Sequence, residues 1–197
     1  MADFPKLSID LIDEGLEGYQ HILAEDLKRK QLEIHLFDEL GKTLRHQQYF
    51  TLDQLEEILY WRQPTRPGHF KQNDRERVKI ISKEAMKQED EEIRMHILTL
   101  VKGVAIPSAS KILSVTYPKL YVTMNKVSWR VLRSWRYLDR NYLPTIGGWM
   151  SFLKSVQAIM RNYSISGRQL DQVIIASFVI HDLKLDLQNY IPLDDFF

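Results

Sequence analysis

Apolar residues along this chain recur at intervals of three and four, the spacing of a helix that buries one face. Leu16, Tyr19, Leu23 and Leu27 keep that spacing, and Leu32, Leu36, Phe37 and Leu40 repeat it before Gly41, so the first fifty residues read as helix. A sharper signal starts at Thr51: this residue is placed as an N-cap, Gln54 supplies the reciprocal capping-box position, and Leu52, Leu55, Ile58 and Leu59 form a stripe leading to Trp61. Pro64, Pro67 and Gly68 end it. Asn73 then stands where it would cap a charged helix from Asp74 to about Lys87, with Val78, Ile81 and Ala85 facing inward. The next helix spans Glu89 to Val101, and its acidic opening matches the helix dipole without requiring a catalytic role.

The following stretch carries the chemistry. A tight turn, Gly103-Val104-Ala105-Ile106-Pro107, separates that helix from another in which Pro107 takes an early position, Ala109, Ile112 and Leu113 are apolar, and Ser108 and Ser110 permit close packing. A helix that starts straight after a tight turn aims unsatisfied N–H groups and the positive end of its dipole at one point, where an anion is favoured. Pro118 ends this helix, Tyr117, Tyr121 and Val122 fill a short extended connection, and Asn125 opens a helix reaching at least Trp135. Val127, Val131, Trp135 and Leu138 fall on one side of it, and Lys126, Arg130, Arg133 and Arg140 on the other, with Trp129 among the basic residues. Two helices close the chain: Ile146 to Tyr163, loosened near its start by Gly147 and Gly148, and Ser166 to about Leu183, in which Val173 to Ile180 is apolar all round and so belongs in a core. The acidic and aromatic tail from Leu185 to Phe197 is expected to dock on the body.

Charge sharpens this picture. The 197 residues carry a net charge of +1, yet residues 1–57 hold 6 Lys and Arg against 13 Asp and Glu, whereas residues 94–140 hold 9 against a single Asp139. That local excess fits a polyanion footprint, or a basic surface facing the acidic N-terminal segment. Tyr60-Trp61-Arg62 and Arg66 add a second group of aromatics and cations, which suits either a packed Trp beneath a loop or a surface gripping nucleic acid. There are no cysteines, which removes disulfides and thiol nucleophiles and favours a reducing compartment; with no signal pattern and no apolar run near 20 residues, a cytoplasmic protein with no membrane association is expected. The six histidines lack metal-ligand spacing, and neither a phosphate-loop nor a serine-hydrolase motif occurs.

The segment Leu100-Val101-Lys102-Gly103-Val104-Ala105-Ile106-Pro107-Ser108-Ala109-Ser110, followed by Asn125 at a helix start, resembles the helix-hairpin-helix motif of the DNA glycosylase superfamily that includes endonuclease III. Trp61-Arg62-Gln63-Pro64-Thr65-Arg66, Asn73, Pro118, Tyr121 and Leu170-Asp171 extend the similarity to a small prokaryotic family of that fold, over about residues 50–182. The resemblance implies an all-α, two-lobed helical fold with an N-terminal helical segment (1–50) and a glycosylase-like domain (51–197), DNA as partner, a role in DNA repair, and no cofactor beyond a monovalent cation at the hairpin. It assigns Gly103, Val104 and Ala105 to a phosphate. It also marks departures: Asn125 stands where the superfamily has an aspartate, and Pro107 where bifunctional members have a lysine nucleophile. A neutral amide can neither stabilise an oxocarbenium-like centre nor activate water, although it caps a helix well.

Three readings follow. The chain is a DNA-binding protein without standard glycosylase catalysis, in which Lys102, Lys111, Lys126, Arg130 and Arg133, with Trp129, Trp61 and Arg62, add contacts. Or it is a glycosylase using another carboxylate, Asp139 or Asp171. Or its basic stripe binds an acidic protein surface.

Overall fold

Polar caps divide the chain into its helices. In a computed structural model describing residues 5–61 and 70–182, the described residues form ten α-helices and no strand: α1 (Ile9–Glu25), α2 (Leu27–Ile34), α3 (Gly41–Gln47), α4 (Leu52–Tyr60), α5 (Arg75–Lys87), α6 (Glu91–Leu98), α7 (Ile106–Thr116), α8 (Lys126–Ser134), α9 (Ile146–Tyr163) and α10 (Gly167–Ser177). Eight of them start on a side chain that accepts an N–H of the first turn: Ser8, Asp26, Thr51, Asp74, Asp90, Asn125, Thr145 and Ser166. Thr51 with Gln54, and Ser166 with Gln169, complete reciprocal capping boxes. Of the two exceptions, α3 runs on directly from a π-helical turn at His35–Leu40. Only α7, among the described helices, begins after a turn with no cap.

Several expected boundaries shift, the helix expected from Glu89 to Val101 being held to Glu91–Leu98 by its Asp90 cap. Asp74, not Asn73, accepts from Arg77 N–H and caps α5, which frees the Asn73 amide for a longer-range partner. The last helix leaves α-geometry at Ser177 and continues as a π-helical turn, Phe178–Asp182. Arg62, the Gln63–Arg66 stretch and the tail from Leu185 lie outside the described residues.

Helix α7 sits at the centre. From Ala109 to Thr116 every residue is buried, and its neighbours are α3, α4, α6 and the π-helical turn. Helix α10 is the second buried rod, covered by α1, α8 and α9. Val173, Ile174, Ile175, Ala176, Phe178 and Val179 are all buried, as an apolar run broken only by Ser177 requires. The N-terminal helix lies close against this rod because Gly15 has no side chain: a Cβ there would fall 2.9 Å from Val173 Cγ1. Among the described residues no helix is long and apolar enough to cross a membrane.

An exposed link joins the π-helical turn to α4. His35 Nδ1 lies 2.8 Å from Glu39 Oε2 and its Nε2 2.9 Å from Glu57 Oε2, an arrangement that suits the imidazolium with both ring nitrogens donating. These bonds, first to Glu57 and then to Glu39, raise the His35 pKa above 6.5. A raised folded-state pKa contributes stability that is full below the unfolded value and is lost as pH rises through the folded one. The melting-temperature difference between wild type and His35→Gln should therefore be larger at pH 5.5 than at pH 8.5; thermal denaturation at both pH values measures it, and an equal difference would contradict the bridged imidazolium.

Candidate nucleic-acid interface

The turn before α7 begins where α6 ends, with Thr99 at its C-cap. Gly103 adopts φ 86°, a left-handed conformation that side-chain-bearing residues rarely take, and so reverses the chain. Val104 N–H then donates to Val101 O (3.0 Å), and Val104 is buried while Lys102, Gly103 and Ala105 are exposed. Because Ala105 has no side-chain oxygen and Pro107 no N–H, the remaining first-turn donors of α7, the Ile106 and Ser108 N–H groups, have no side-chain acceptor. The dipole of an eleven-residue helix thus ends in uncapped donors beside an exposed glycine turn.

A latch from another helix pair fixes this turn. The Asn73 side chain donates to Lys102 O (2.8 Å) and to Phe70 O (2.6 Å), and its Oδ1 accepts from Lys102 N–H (2.8 Å). One amide therefore grips the Lys102 residue at both its N–H and its C=O, and the Lys102 ammonium also reaches Gln72. Sequence alone marks Asn73 as a helix start; nothing in the chain order announces a partner 29 positions away.

The other expected site residues divide sharply. Lys126, Arg130 and Arg133 are exposed on one face of α8. The start of α8 is held near the hairpin because Met124 N–H donates to Ser110 Oγ (2.9 Å), and Ser110 lies only about 6 Å along α7 from its first residue. Lys126 makes no ion pair among the described residues, and Arg133 donates to the neutral Asn141 Oδ1 (2.7 Å). By contrast, Arg75, Lys79 and Lys87 are each joined to a carboxylate.

Lys111, expected among the surface cations, is a correction: it is 7% exposed and its ammonium donates to Trp61 O (2.5 Å), closing the end of α4 from within. Trp61 is likewise internal, 1% exposed and edge-on to Phe37 with ring centroids 5.1 Å apart. Trp129 leaves the cationic stripe too. Its indole N–H donates to Arg140 O (2.8 Å), and its ring stacks on Phe152 and meets Tyr142 edge-on. The segment after α8 folds back over it, which helical spacing on α8 could not reveal. None of these three side chains stands on the exposed cationic face of α8.

Asn125 accepts from Ser128 N–H (2.8 Å) while Ser128 Oγ accepts from Asn125 N–H (2.9 Å), a full capping box on a half-buried residue. Asp171 is 4% exposed in α10, with its carboxylate 3.6 Å from Arg168, whose guanidinium also pairs with Glu33. That makes it part of a buried charge cluster between α1, α2 and α10. Asp139 is exposed and lines a groove beyond the end of α8. Asn125, Asp139 and Asp171 thus occupy a cap, a groove and a buried cluster. No group of three or more His, Asp or Glu side chains able to hold a metal occurs among the described residues.

The chain matches no protein-family model, no curated protein and no solved structure.

Replacing Asn73 by Ala removes both bonds to Lys102 and leaves its backbone groups to water. Amide exchange at residues 102–105 is expected to quicken by about tenfold, the equivalent of ~1.4 kcal/mol of local opening, with the global melting temperature falling by only a few degrees. Unchanged exchange at the turn would show that the latch does not hold it.

Proposed function

We propose that the protein binds DNA through the hairpin before α7, on a helical scaffold of the two-lobed helix-hairpin-helix glycosylase kind, and that it does so without the standard glycosylase reaction. The observation that carries this reading is the uncapped start of α7 beside the exposed, positive-φ Gly103. Donors left without a side-chain acceptor, next to Lys102 and on the helix whose Ser110 holds the start of α8, make a strong local attraction for a phosphate oxygen. Arg130 and Arg133 continue the positive face along the roughly 13 Å of α8, about the reach of several successive phosphates.

Loss of catalysis follows from Asn125. Its Oδ1 is engaged by Ser128 N–H, and an amide carries no charge with which to stabilise a cationic sugar. Asp171 is turned to Arg168 inside the protein. Asp139 is the acid available for the alternative enzymatic reading, since it is exposed in a groove. An assay for base release from duplexes carrying alkylated or deaminated bases separates the two: no release is expected, and release lost in Asp139→Asn would establish the enzyme instead.

Four cations at the interface, Lys102, Lys126, Arg130 and Arg133, set the scale of binding. Dissociation constants on the order of 10⁻⁴ to 10⁻⁶ M at physiological salt, and a log–log salt slope of about −3 to −4, are expected for a random duplex. Fluorescence anisotropy at several salt concentrations measures both, and the doubly substituted Lys126→Glu, Arg133→Glu protein should bind at least tenfold more weakly. An affinity indifferent to salt would sink the proposal.

A further inference from the structure

A groove of about 630 Å³ opens between the segment after α8 and the first half of α9, and its lining includes neither the hairpin nor Asn125. Arg136, Arg140 and Lys154 stand on its rim, all exposed, and their side chains have no partner among the described residues. The one carboxylate facing them is Asp139. Burial raises the pKa values of Tyr137 and Tyr142, so these neighbouring phenols stay neutral at pH 7 and the local charge is that of the three cations and one acid. Three cations gathered around one concavity with a single carboxylate among them leave it net positive, and they gain when an anion enters it.

The floor is made of α9 and lacks bulk: Gly147, Gly148, Ser151, Ser155 and Ala158 line it. Gly148 has a packing reason, since a Cβ there would fall 1.9 Å from Leu143 O. Gly147 has none. A Cβ at Gly147 would meet nothing within 4 Å, and its φ is not in the left-handed region, so the position is open to any residue. Gly147 is the second residue of α9, and what it leaves there is bare main chain facing an open groove. One wall, Trp129, is pinned through Arg140 O, and Ser155 Oγ donates to Tyr137 O (2.8 Å), tying α9 to the opposite side. The groove is therefore preformed.

We infer that this groove is a binding site for a nucleoside phosphate, with the phosphate held by Arg136, Arg140 and Lys154, the flat ring lying on the side-chain-poor floor at Gly147, and Asp139 accepting from an amino or hydroxyl group. Its volume falls within the ~300–1,000 Å³ of small-molecule sites, large enough for a ring, a sugar and a phosphate together. The inference uses no residue of the hairpin and stands apart from the duplex-binding proposal. The same chemistry can arrive as a free nucleotide or as the phosphorylated end of a strand.

Titration calorimetry of the full chain with AMP, adenosine and inorganic phosphate, and with a 12-nucleotide single strand with and without a 5′-phosphate, tests it. At least one phosphorylated probe is expected to bind tenfold or more tightly than its unphosphorylated counterpart. AMP as the tighter ligand assigns the free nucleotide; a strand preference with weak AMP binding assigns the strand end. Gly147→Leu should weaken that binding at least tenfold with an unchanged or raised melting temperature, and Lys154→Ala should weaken it severalfold. Lys102→Glu should leave it intact, whatever happens to duplex binding. Absence of any phosphate preference in the folded protein, or affinity unaltered by both groove substitutions, overturns the site.

Discussion

Helix α7 has almost no solvent face, and that constraint organises the molecule. A helix buried from Ala109 to Thr116 must satisfy each polar side chain it carries, and here those side chains fix the neighbours in place. Ser110 accepts Met124 N–H and so sets the start of α8; Ser114 and Thr123 share a 2.9 Å bond that holds the connection between them. The Lys111 ammonium closes α4 at Trp61, and Arg45 reaches across to Thr116 O (2.6 Å) from α3. With its middle locked on all sides, α7 meets solvent chiefly at its first turn, and that turn is the uncapped one.

Much of this was legible from residue order. The capping residues Thr51, Asn125 and Ser166 mark helix starts wherever they are followed by the right partner, because capping is a bargain between residues three apart. The positive-φ Gly103 was legible for a similar reason: the turn it makes is local. What escaped was set by residues far apart in the chain. Trp129 lies on the basic side of α8 by spacing, yet Arg140 and Tyr142 return to cover it; Lys111 counts as a surface charge until Trp61 is seen above it. Asn73 reads as a cap and acts as a latch, because Asp74 beside it does the capping equally well. The groove of Arg136, Arg140 and Lys154 left no motif, since it draws on two elements whose meeting depends on tertiary packing.

Charge follows the same division. Acids crowd the first 57 residues, and Asp53 and Glu56 from α4 pair with Arg75 and Lys71. Residues 94–140 contain one acid among nine cations, and of these Lys126, Arg136 and Arg140 pair with no carboxylate among the described residues. Exposed pairs of the first kind contribute little to stability. Their larger effect is to neutralise one side of the protein, leaving the field concentrated around α8 and the start of α9.

The cap at Asn125 carries no charge of its own. An aspartate would cap α8 as well or better, gaining ~0.3–1 kcal/mol from the helix dipole. It would also set a fixed negative charge beside Lys126 at the start of α8, where the amide sets none. The amide keeps the helix start in order through its bond to Ser128 N–H and adds no negative charge to the cationic face of α8.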